Sequence, residues 1–481
     1  MPEFPPFALF YLAALAAAFL PRVPRQVLML SVPVVSCAAL LQLPADLLIS
    51  MSILDLHLEP LRVDRLSRLF GILFHIGAFI GIVFSLHTRD RTQHVAALVY
   101  AGSALGAVFA GDLLTLFVFW EMLAVSSVFL IFASRTERSY GAGMRYLIIQ
   151  VISGVLLLAG ALILYGQNGS LRFEHIGLTG AGSMLIFIAF GIKCAFPLLH
   201  NWLTDAYPEA TPTGTVFLSA FTTKVAVYAL ARGFAGTEVL VYVGAVMTCF
   251  PIFYAVIEND LRRVLAYSMI NQIGFMVVGI GLGTALAING AIAHAFNDVI
   301  FKGLLMMSMG AVLHMTGRMN GSDLGGLYKS MPVTTTLCIV GAASISAFPL
   351  FSGFVSKSMV MVAVLEEGHP VVWLALLFAS AGVFHHAGIK IPFFAFFAHD
   401  SGIRTPEAPA NMLIAMGIAA ALCIGIGVWP WVLYDLLPFA VDYTPFDGSH
   451  ILAQIQLLVF SAAAFAWLKV AGITPPNCTR P

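Results

Sequence analysis

The 481 residues are 60% hydrophobic and only 10% charged, against about 25% charged in an average soluble domain, so the composition indicates a membrane protein. The formal net charge is zero, which gives no electrostatic support for a nucleic-acid partner. The six cysteines are scattered singly, without CxxC or Cys/His pairs, which argues against disulfides, zinc and iron–sulfur clusters.

Apolar runs near the roughly 20 residues that span a bilayer follow one another along almost the whole chain. They predict an all-α polytopic membrane protein of about 14–15 transmembrane helices. The predicted helices lie at about 6–20, 26–44, 66–88, 93–110, 112–134, 143–166, 181–203, 211–234, 237–257, 263–283, 285–315, 333–366, 370–398, 410–437 and 450–471. The first run precedes the first basic residues, Arg22 and Arg25, so we expect a membrane helix there and not a cleaved signal peptide. Residues 45–65 predict a short extramembrane hairpin.

Basic residues are distributed unevenly between the predicted loops. Most of them, among them Arg22, Arg138 and Arg263, fall in loops on one side of the membrane, whereas few, such as Arg62 and Arg172, fall on the other. Cytoplasmic loops carry the excess of Lys and Arg. The pattern therefore predicts an integral protein of a bacterial inner membrane with its N-terminus outside and its C-terminus in the cytoplasm.

Two apolar segments, 191–200 and 346–357, are typical of interrupted helices. Each contains Ala-Phe-Pro-Leu, beginning at Ala195 and at Ala347, 152 positions apart, and each has a lysine close by. Proline removes a backbone donor, and in lipid the freed groups are tolerated only inside protein or at a wet cavity. Paired interruptions predict two inverted repeats around an ion site, although a short Pro motif could also recur by chance. The predicted division is 1–92 for N-terminal helices and outer loop, 93–235 for the first repeat, 236–400 for the second, and 401–481 for C-terminal helices.

Five lysines lie inside these otherwise apolar segments, well away from the loops. A cation at the bilayer centre costs roughly 2.5–3.5 kcal/mol on an insertion scale, and residues this costly usually mark ion or proton pathways. They are Lys193, Lys224, Lys302, Lys357 and Lys390.

Glu121 lies in the middle of a predicted helix. An isolated carboxylate in lipid takes up a proton, whereas a lysine within ~4–6 Å would keep it charged. Lys193, at the first interruption, is the expected partner, and opening this pair would release the proton of the lysine. A static structural pair is the alternative. Lys224 has no acidic residue within a turn on its own helix, which suits a group that takes up and releases protons.

Three ionisable residues share one face of the predicted helix 285–315. His294, Asp298 and Lys302 are spaced i, i+4, i+8, so they form one stripe and predict a proton relay. The alternatives are that Asp298 only neutralises Lys302 through an ordinary i, i+4 pair, and that His294 is an interface histidine.

Further candidates lie near the second interruption. Lys357 follows it directly, beside Ser356, whose hydroxyl could hold water. The next helix carries residues that could form an exit or a second ion route, namely His385, His386 and Lys390, although Lys390 could instead snorkel to the interface. His200, which ends the first interruption, is a secondary candidate.

The chain contains no P-loop, no dinucleotide-binding fingerprint and no HExxH motif. We therefore expect no bound cofactor and no metal, and energy must come from an ion gradient or from a partner.

Several of these motifs occur together in one known family. Phe119-Trp-Glu-Met, Gly191-Ile-Lys, Thr223-Lys-Val-Ala-Val-Tyr, Phe301-Lys-Gly-Leu-Leu and Phe354-Val-Ser-Lys stand in this order. The set resembles the antiporter-like subunits that respiratory complex I shares with Mrp-type cation/proton antiporters. The run around Lys224 and Gly-Gly-Leu-Tyr-Lys-Ser at 325–330 are most similar to the D-type Mrp subunit.

The resemblance implies a hydrated polar axis along the membrane plane, with Glu121, Lys193, Lys224, Lys302 and Lys357 as proton carriers. It also implies a proton-translocating subunit of a multi-subunit Na+/H+ antiporter, with other membrane subunits, protons, sodium and lipid as partners. A proton-pumping subunit of a complex I-like or hydrogenase-like redox assembly is the alternative, and a non-transporting scaffold is a third. The sequence departs from the family in two places: Asp298 stands where many relatives carry histidine, and helix 450–471 is additional.

Overall fold

The computed structural model describes residues 4–53 and 56–471. In these ranges the chain forms nineteen α-helices and one two-stranded sheet. The elements are α1 Pro6–Phe19, α2 Arg22–Gln42, β1 Leu47–Ile53, β2 Leu56–Val63, α3 Arg65–Ser85, α4 Arg91–Phe109, α5 Leu113–Phe132, α6 Glu137–Asn168, α7 Ala181–Lys193, α8 Asn201–Ala206, α9 Pro212–Ala220, α10 Thr222–Gly233, α11 Val239–Ile257, α12 Leu261–Leu282, α13 Ala285–Thr316, α14 Pro332–Ile345, α15 Ser352–Glu366, α16 Pro370–Val383, α17 Ala410–Val428, α18 Trp431–Tyr434 and α19 Gly448–Val470.

Most of these helices have the length and composition of membrane spans. Twelve helices in the described ranges are long and apolar enough to cross a bilayer, with α9 and α10 counted as one, and three shorter apolar helices accompany them: Pro6–Phe19, Ala181–Lys193 and Pro332–Ile345. The prediction of a polytopic all-α membrane protein is therefore confirmed.

Side-chain caps determine where several spans begin. Asp112 accepts a hydrogen bond from the backbone of Thr115 at 2.7 Å and so opens α5. Thr136 and Ser139 form a reciprocal capping box. This box starts α6 at Glu137, six residues before the predicted bound of 143, because it satisfies the free N–H groups of the first turn.

The predicted hairpin at 45–65 is present as the antiparallel pair β1–β2. It is tied to the helical body at several points. Asp112 accepts from the backbone N–H of Glu59 at 2.7 Å, and the Glu59 carboxylate pairs with Arg172 at 2.8 Å. The hairpin thereby connects the start of α5 with the loop that follows α6.

Both predicted interruptions are confirmed, and they share one backbone conformation. Ala195 and Ala347 have φ of 59° and 57°, and Leu198 and Leu350 have φ of 69° and 71°, a left-handed region that side chains other than glycine rarely adopt. The N–H of the phenylalanine in each motif donates five residues back, to Gly191 at 2.9 Å in the first case and to Ala343 at 3.1 Å in the second. The repeated sequence thus encodes a repeated structure.

The two broken helices run in opposite directions. Four spans, Pro212–Gly233, Val239–Ile257, Leu261–Leu282 and Ala285–Thr316, separate α7–α8 from α14–α15. Because each span reverses the direction of the chain, the second interruption is traversed opposite to the first, as inverted repeats require. The repeat boundaries at 92, 235 and 400 stay a prediction.

Three predicted helices differ from the structure in their continuity. The segment 211–234 is interrupted at Phe221, where α9 ends and α10 begins. The segment 410–437 ends at Val428, and Pro430 precedes the separate short helix α18, because proline cannot donate to the preceding turn. The segment 370–398 continues beyond α16 as π-helix at 384–390 and 393–397.

The interior of the molecule is formed by the helices that carry the central lysines. The apolar stretch of the span Pro212–Gly233 is completely buried, and that of α12 is 94% buried. Only 6% of the apolar stretch of α19 is buried. The remaining spans surround this centre and expose large apolar side chains such as Val118, Phe253 and Val459. The central helices are therefore shielded from lipid by the others.

We expect the hairpin to be fastened to α10 by a pH-dependent ion pair. Arg232 donates two hydrogen bonds to Asp64, at 2.9 and 2.7 Å. Burial raises the pKa of Asp64, but the Arg232 guanidinium and the Ser67 N–H outweigh it, so that this pKa lies below the usual 3.8. A carboxyl group with a depressed pKa stabilises the folded protein above about pH 4. This stabilisation is lost as the pH falls through the pKa of the group in the folded state.

Asp64→Asn should therefore lower the free energy of unfolding in detergent at pH 7 by roughly 1–3 kcal/mol. Thermal unfolding measures this loss as a lower midpoint. The difference from the unmodified protein should shrink as the pH falls below about 4. Asp46→Asn, at an exposed position before the same hairpin with φ of 59°, is the matched control and should change little. A difference that stays constant down to about pH 3 would contradict this assignment.

Candidate functional site

The ionisable residues predicted from the sequence are buried inside the helical body. Lys193, Lys224, Asp298 and Lys302 are 0% exposed, and Lys357 is 2% exposed. Because charged groups so far from water are costly unless they are paired, the partners of each decide what the site can do.

Lys193 ends α7 at the first interruption. Its Nζ donates to the carbonyl of Trp120 at 3.1 Å and lies 5.0 Å from the centre of the Trp120 ring. The indole in turn donates to Ser153 on α6 at 2.9 Å. The amine is therefore held by the backbone and the ring of α5.

Glu121 is the residue after Trp120 on α5. Within the described ranges no contact of 4.0 Å or less joins its carboxylate to Lys193, and Glu121 Oε1 is buried without a hydrogen-bond partner. The carboxylate lies over Gly154 of α6, where a side chain would collide with it. The interaction of Glu121 with Lys193 over ~4–6 Å stays a prediction.

Lys224, which has no acidic neighbour on its own helix, has an acidic partner on α13. Its Nζ lies 2.6 Å from Asp298 Oδ2, and both side chains are 0% exposed. The same amine donates to the carbonyl of Ser219 at 3.1 Å, a carbonyl next to the interruption at Phe221. The helix break thus supplies the second acceptor for the buried amine.

The predicted stripe on α13 is present, but its members do not contact one another. Asp298 pairs with Lys224 and not with Lys302, whose Nζ donates to Ser268 of α12 at 2.7 Å. His294 contacts Gln272 of α12 at 3.1 Å. Residues at i and i+4 are neighbours on a helix surface, and here the side chains make their hydrogen bonds and ion pair with other helices; a proton relay along this stripe stays a prediction.

Helix α12 supplies polar partners to two members of the stripe. Ser268 and Gln272 lie one turn apart on α12 and hold Lys302 and His294, respectively. The other ring nitrogen of His294 contacts Ser356 at 3.0 Å, the residue before Lys357. Sequence reasoning missed Ser268 and Gln272. Both are polar residues inside an apolar span, and this feature could have identified them.

Lys357 follows the second interruption on α15. Its Nζ donates to the carbonyl of Ile345 at 3.2 Å, at the end of α14, and lies 5.0 Å from the centre of the Phe275 ring. As at Lys224, a carbonyl beside a helix interruption accepts from the amine.

Lys390 serves a different purpose from the other lysines. Its Nζ donates to the carbonyls of Ala255 at 2.9 Å and Val256 at 2.8 Å, and also to that of Glu258. These are the free carbonyls at the end of α11, which a cation stabilises. Lys390 therefore caps the end of α11, and its part in an exit or second ion route stays a prediction.

The three secondary histidines have different surroundings. His386 is 0% exposed, with both ring nitrogens without a hydrogen-bond partner among the described residues. Its neighbour His385 packs on Phe465 of α19 with ring centres 5.6 Å apart. His200 packs on Phe250 at 4.7 Å. A role for these histidines in an ion route stays a prediction.

Over the described residues no cluster of three or more His, Cys, Asp or Glu side chains could hold a metal ion. The amines, carboxylates, imidazole and hydroxyls of the site are groups that can exchange protons.

Comparisons with known proteins identify relatives of the chain. The family profile of the transmembrane region of NADH:quinone oxidoreductase/Mrp antiporters matches residues 110–381. The A-type Na(+)/H(+) antiporter subunit of Alkalihalophilus pseudofirmus is 31% identical over 427 residues, which are 77% of this chain and 52% of that protein. The D-type Na(+)/H(+) antiporter subunit of the same organism is 28% identical over 406 residues, 78% of this chain and 81% of that protein. The chain thus spans about half the length of the A-type relative.

A solved structure is similar over the full length. A chain of the membrane-bound sulfane sulfur reductase, an archaeal respiratory membrane complex, superposes with a TM-score of 0.84 at 25% identity, covering 100% of this chain and 86% of that one.

We expect the Lys224–Asp298 pair to be sensitive to the loss of one partner only. Asp298→Asn leaves a buried amine without its counter-charge, which should cost roughly 3–5 kcal/mol, or less if the amine gives up its proton. The double variant Lys224→Met/Asp298→Leu replaces both charges by apolar groups and should recover most of this loss. Thermal unfolding in detergent measures both, and a single variant as stable as the unmodified protein would contradict the pairing.

Proposed function

Because the chain belongs to the family of NADH:quinone oxidoreductase/Mrp antiporter transmembrane subunits, we propose that it is the proton-translocating subunit of a multi-subunit Na+/H+ antiporter. The observation that carries the proposal is the row of buried amines and carboxylates between the two broken helices. Lys193 stands at the first break, Lys224, Asp298 and Lys302 in the middle, and Lys357 at the second. A membrane protein needs no such row for packing, because apolar residues would fill the same space at lower cost.

The contacts of the row suggest how a proton moves. A lysine beside a carboxylate retains its proton, whereas one without a close carboxylate releases it more readily. Lys224 and Asp298 are paired at 2.6 Å, while no contact of 4.0 Å or less joins Glu121 to Lys193 within the described ranges. Closing the Glu121–Lys193 pair would retain a proton at the first break, and opening it would pass the proton towards Lys224.

The second half of the row has its own switch in this proposal. A change in the partner of Asp298 from Lys224 to Lys302, one turn along α13, would transfer the counter-charge and, with it, the preferred position of the proton. From Lys302, whose amine donates to Ser268 at 2.7 Å, the proton would continue to the imidazole of His294. That imidazole contacts Ser356 at 3.0 Å, the residue before Lys357, and Gln272 holds its other nitrogen at 3.1 Å.

Sodium exchange, as the name of the D-type relative states it for that protein, would require a second site. The described residues offer no acidic cage, so we propose that a partner subunit handles the cation. The face around Glu121 suits a subunit contact, because Val118 and Met122 beside it are 50% and 37% exposed and a half-buried carboxylate in lipid is costly. We place the complex in a bacterial inner membrane, with the N-terminus outside and the basic loops in the cytoplasm.

A redox-coupled complex is the second candidate function. The observation in its favour is the full-length similarity to a chain of an archaeal respiratory membrane complex. Purification in mild detergent separates the two: further membrane subunits without redox centres support the antiporter, and a quinone-binding or iron–sulfur partner supports the redox complex.

Replacing Glu121 or Lys193 by Ala should abolish cation/proton exchange in inverted vesicles at unchanged amounts of assembled complex, because the first switch is lost. Lys390→Met is the matched control. It removes another buried amine, one that caps α11, so it should lower stability while exchange per folded complex is retained. Full exchange after Lys193→Ala would remove the row from the mechanism and favour a scaffold.

A further inference from the structure

We propose that Gln272 is a positioning residue that fixes which ring nitrogen of His294 carries the hydrogen, so that this imidazole takes up and gives back protons only at Nδ1. The inference rests on the proposed function and adds to it a direction for the proton exchange of His294. It is carried by a chain of hydrogen bonds that begins at a backbone carbonyl, runs through two amide side chains and ends at the imidazole. The residues of this chain, Thr248, Asn271, Gln272 and His294, are all 0% exposed.

The chain of hydrogen bonds starts where α11 and α12 cross. Gly274 of α12 lies so close to α11 that an added Cβ would come within 2.7 Å of the Thr248 nitrogen and 2.8 Å of the Gly244 carbonyl oxygen. Because glycine has no Cβ, the two helix backbones can approach this closely. The short side chain of Asn271, on α12, thereby reaches the carbonyl oxygen of Thr248 on α11.

That carbonyl determines the orientation of the Asn271 amide. A carbonyl oxygen only accepts hydrogen bonds, so the end of the amide that faces Thr248 must be the NH2 group, Nδ2. The other end, Oδ1, faces Gln272 and lies 2.6 Å from its side-chain nitrogen Nε2. Since Oδ1 is an acceptor, the Gln272 amide is oriented as well: its nitrogen points to Asn271, and its oxygen is free for another donor.

The Gln272 amide in turn determines the tautomer of His294. Its oxygen Oε1 lies 3.1 Å from Nε2 of the imidazole, and an amide oxygen has no hydrogen to donate. The hydrogen of the neutral ring must therefore be on Nε2. Only one nitrogen of a neutral imidazole carries a hydrogen, so Nδ1 has a free lone pair and accepts from the Ser356 hydroxyl at 3.0 Å.

The surroundings of the imidazole keep it in this orientation. The rings of Phe275 and Phe301 lie 5.8 and 6.0 Å from it, centre to centre. A half-turn of the imidazole would place carbon atoms against Gln272 and Ser356, which loses both hydrogen bonds and leaves buried polar groups unsatisfied. The ring therefore stays in place while it exchanges protons.

Ser356 suits both protonation states of His294. Its hydroxyl oxygen lies 3.0 Å from Nδ1 and 3.4 Å from the carbonyl of Ser352. Beside a neutral ring the hydroxyl donates to Nδ1. A proton that binds the hydroxyl oxygen displaces the hydroxyl hydrogen to Nδ1, and the new O–H then turns to the Ser352 carbonyl. The ring gains one proton and one positive charge, and the reverse steps return both.

The Gln272 side of the imidazole is closed to protons. The ring could pass a proton onward from Nε2 only if Gln272 Oε1 accepted it, and an amide oxygen is not among the side-chain groups that take up a proton near neutral pH. His294 therefore receives a proton and returns it on the side of Ser356, the residue before Lys357. A proton that comes from Lys302 has to reach Nδ1 as well.

Gln272→Leu removes the acceptor of Nε2–H and keeps a side chain of similar size. The hydrogen should then move to Nδ1, where the Ser356 oxygen accepts it, because an unsatisfied buried donor is costly. Nitrogen-15 NMR of the histidine side chains in the reconstituted complex shows which ring nitrogen is bonded to hydrogen, and loss of the signal in His294→Asn assigns it. At pH ~8, where an ordinary imidazole is neutral, we expect Nε2–H in the unmodified complex and Nδ1–H in Gln272→Leu.

Two further variants separate control of the tautomer from a general loss of packing. Asn271→Leu acts on the imidazole only through Gln272, whose amide is then free to turn over, so both tautomers should be present. Thr248→Val is the matched control. It removes only the hydroxyl, which donates within its own helix to the carbonyl of Ala245 at 2.7 Å, and it leaves the backbone carbonyl in place, so Nε2–H should persist.

Cation/proton exchange in inverted vesicles measures the consequence for transport. Gln272→Leu should slow exchange by at least about tenfold at unchanged amounts of assembled complex, because Nδ1 then has no lone pair for the incoming proton. Thr248→Val should exchange at the unmodified rate.

An Nδ1–H signal from His294 in the unmodified complex would overturn the proposal. Nε2–H that persists in Gln272→Leu would overturn it too, as would exchange at the unmodified rate after the tautomer has changed. If Gln272→Leu does not assemble, the tautomers in the unmodified complex and in Asn271→Leu decide. An unmodified complex that shows Nε2–H but exchanges no cations for protons would reject the proposed function and leave the tautomer assignment standing.

Discussion

The structure depends on a match between buried amines and interrupted helices. A broken helix inside a membrane exposes carbonyls that have lost their donors, and a buried lysine needs acceptors that water cannot supply. At Lys224 the carbonyl is that of Ser219, and at Lys357 it is that of Ile345. Each defect satisfies the other, so the break and the charge together cost less than either would alone.

This match also keeps the amines available for chemistry. A carbonyl is a neutral acceptor and holds an amine in either protonation state, whereas a carboxylate favours the charged one. The structure places Lys193 on a carbonyl and near a carboxylate, and Lys224 on both kinds of acceptor. The positions of the lysines are thus set by the backbone, while their proton affinity is open to control by Glu121 and Asp298.

The surrounding helices turn these local arrangements into one connected interior. Helix α12, almost wholly buried, supplies Ser268 and Gln272 between Lys302 and His294. The hairpin and the Asp64–Arg232 pair hold α10 at one end, and the turn bound by Arg262 holds the start of α9 at the other. Lys224 lies between these two contacts, near the start of α10 and close to the break that separates α10 from α9.

The sequence by itself determined the spans, the hairpin, the two interruptions and the identity of the buried charges, because length, polarity and proline act through local chemistry. It did not determine which charges meet. Three arrangements depend on side chains from different helices. They are the pairing of Lys224 with Asp298, the lack of a contact of 4.0 Å or less between Glu121 and Lys193 in the described ranges, and the capping of α11 by Lys390. Only tertiary packing decides such contacts, since the rotation and depth of each helix follow from the neighbours it packs against and not from its own pattern.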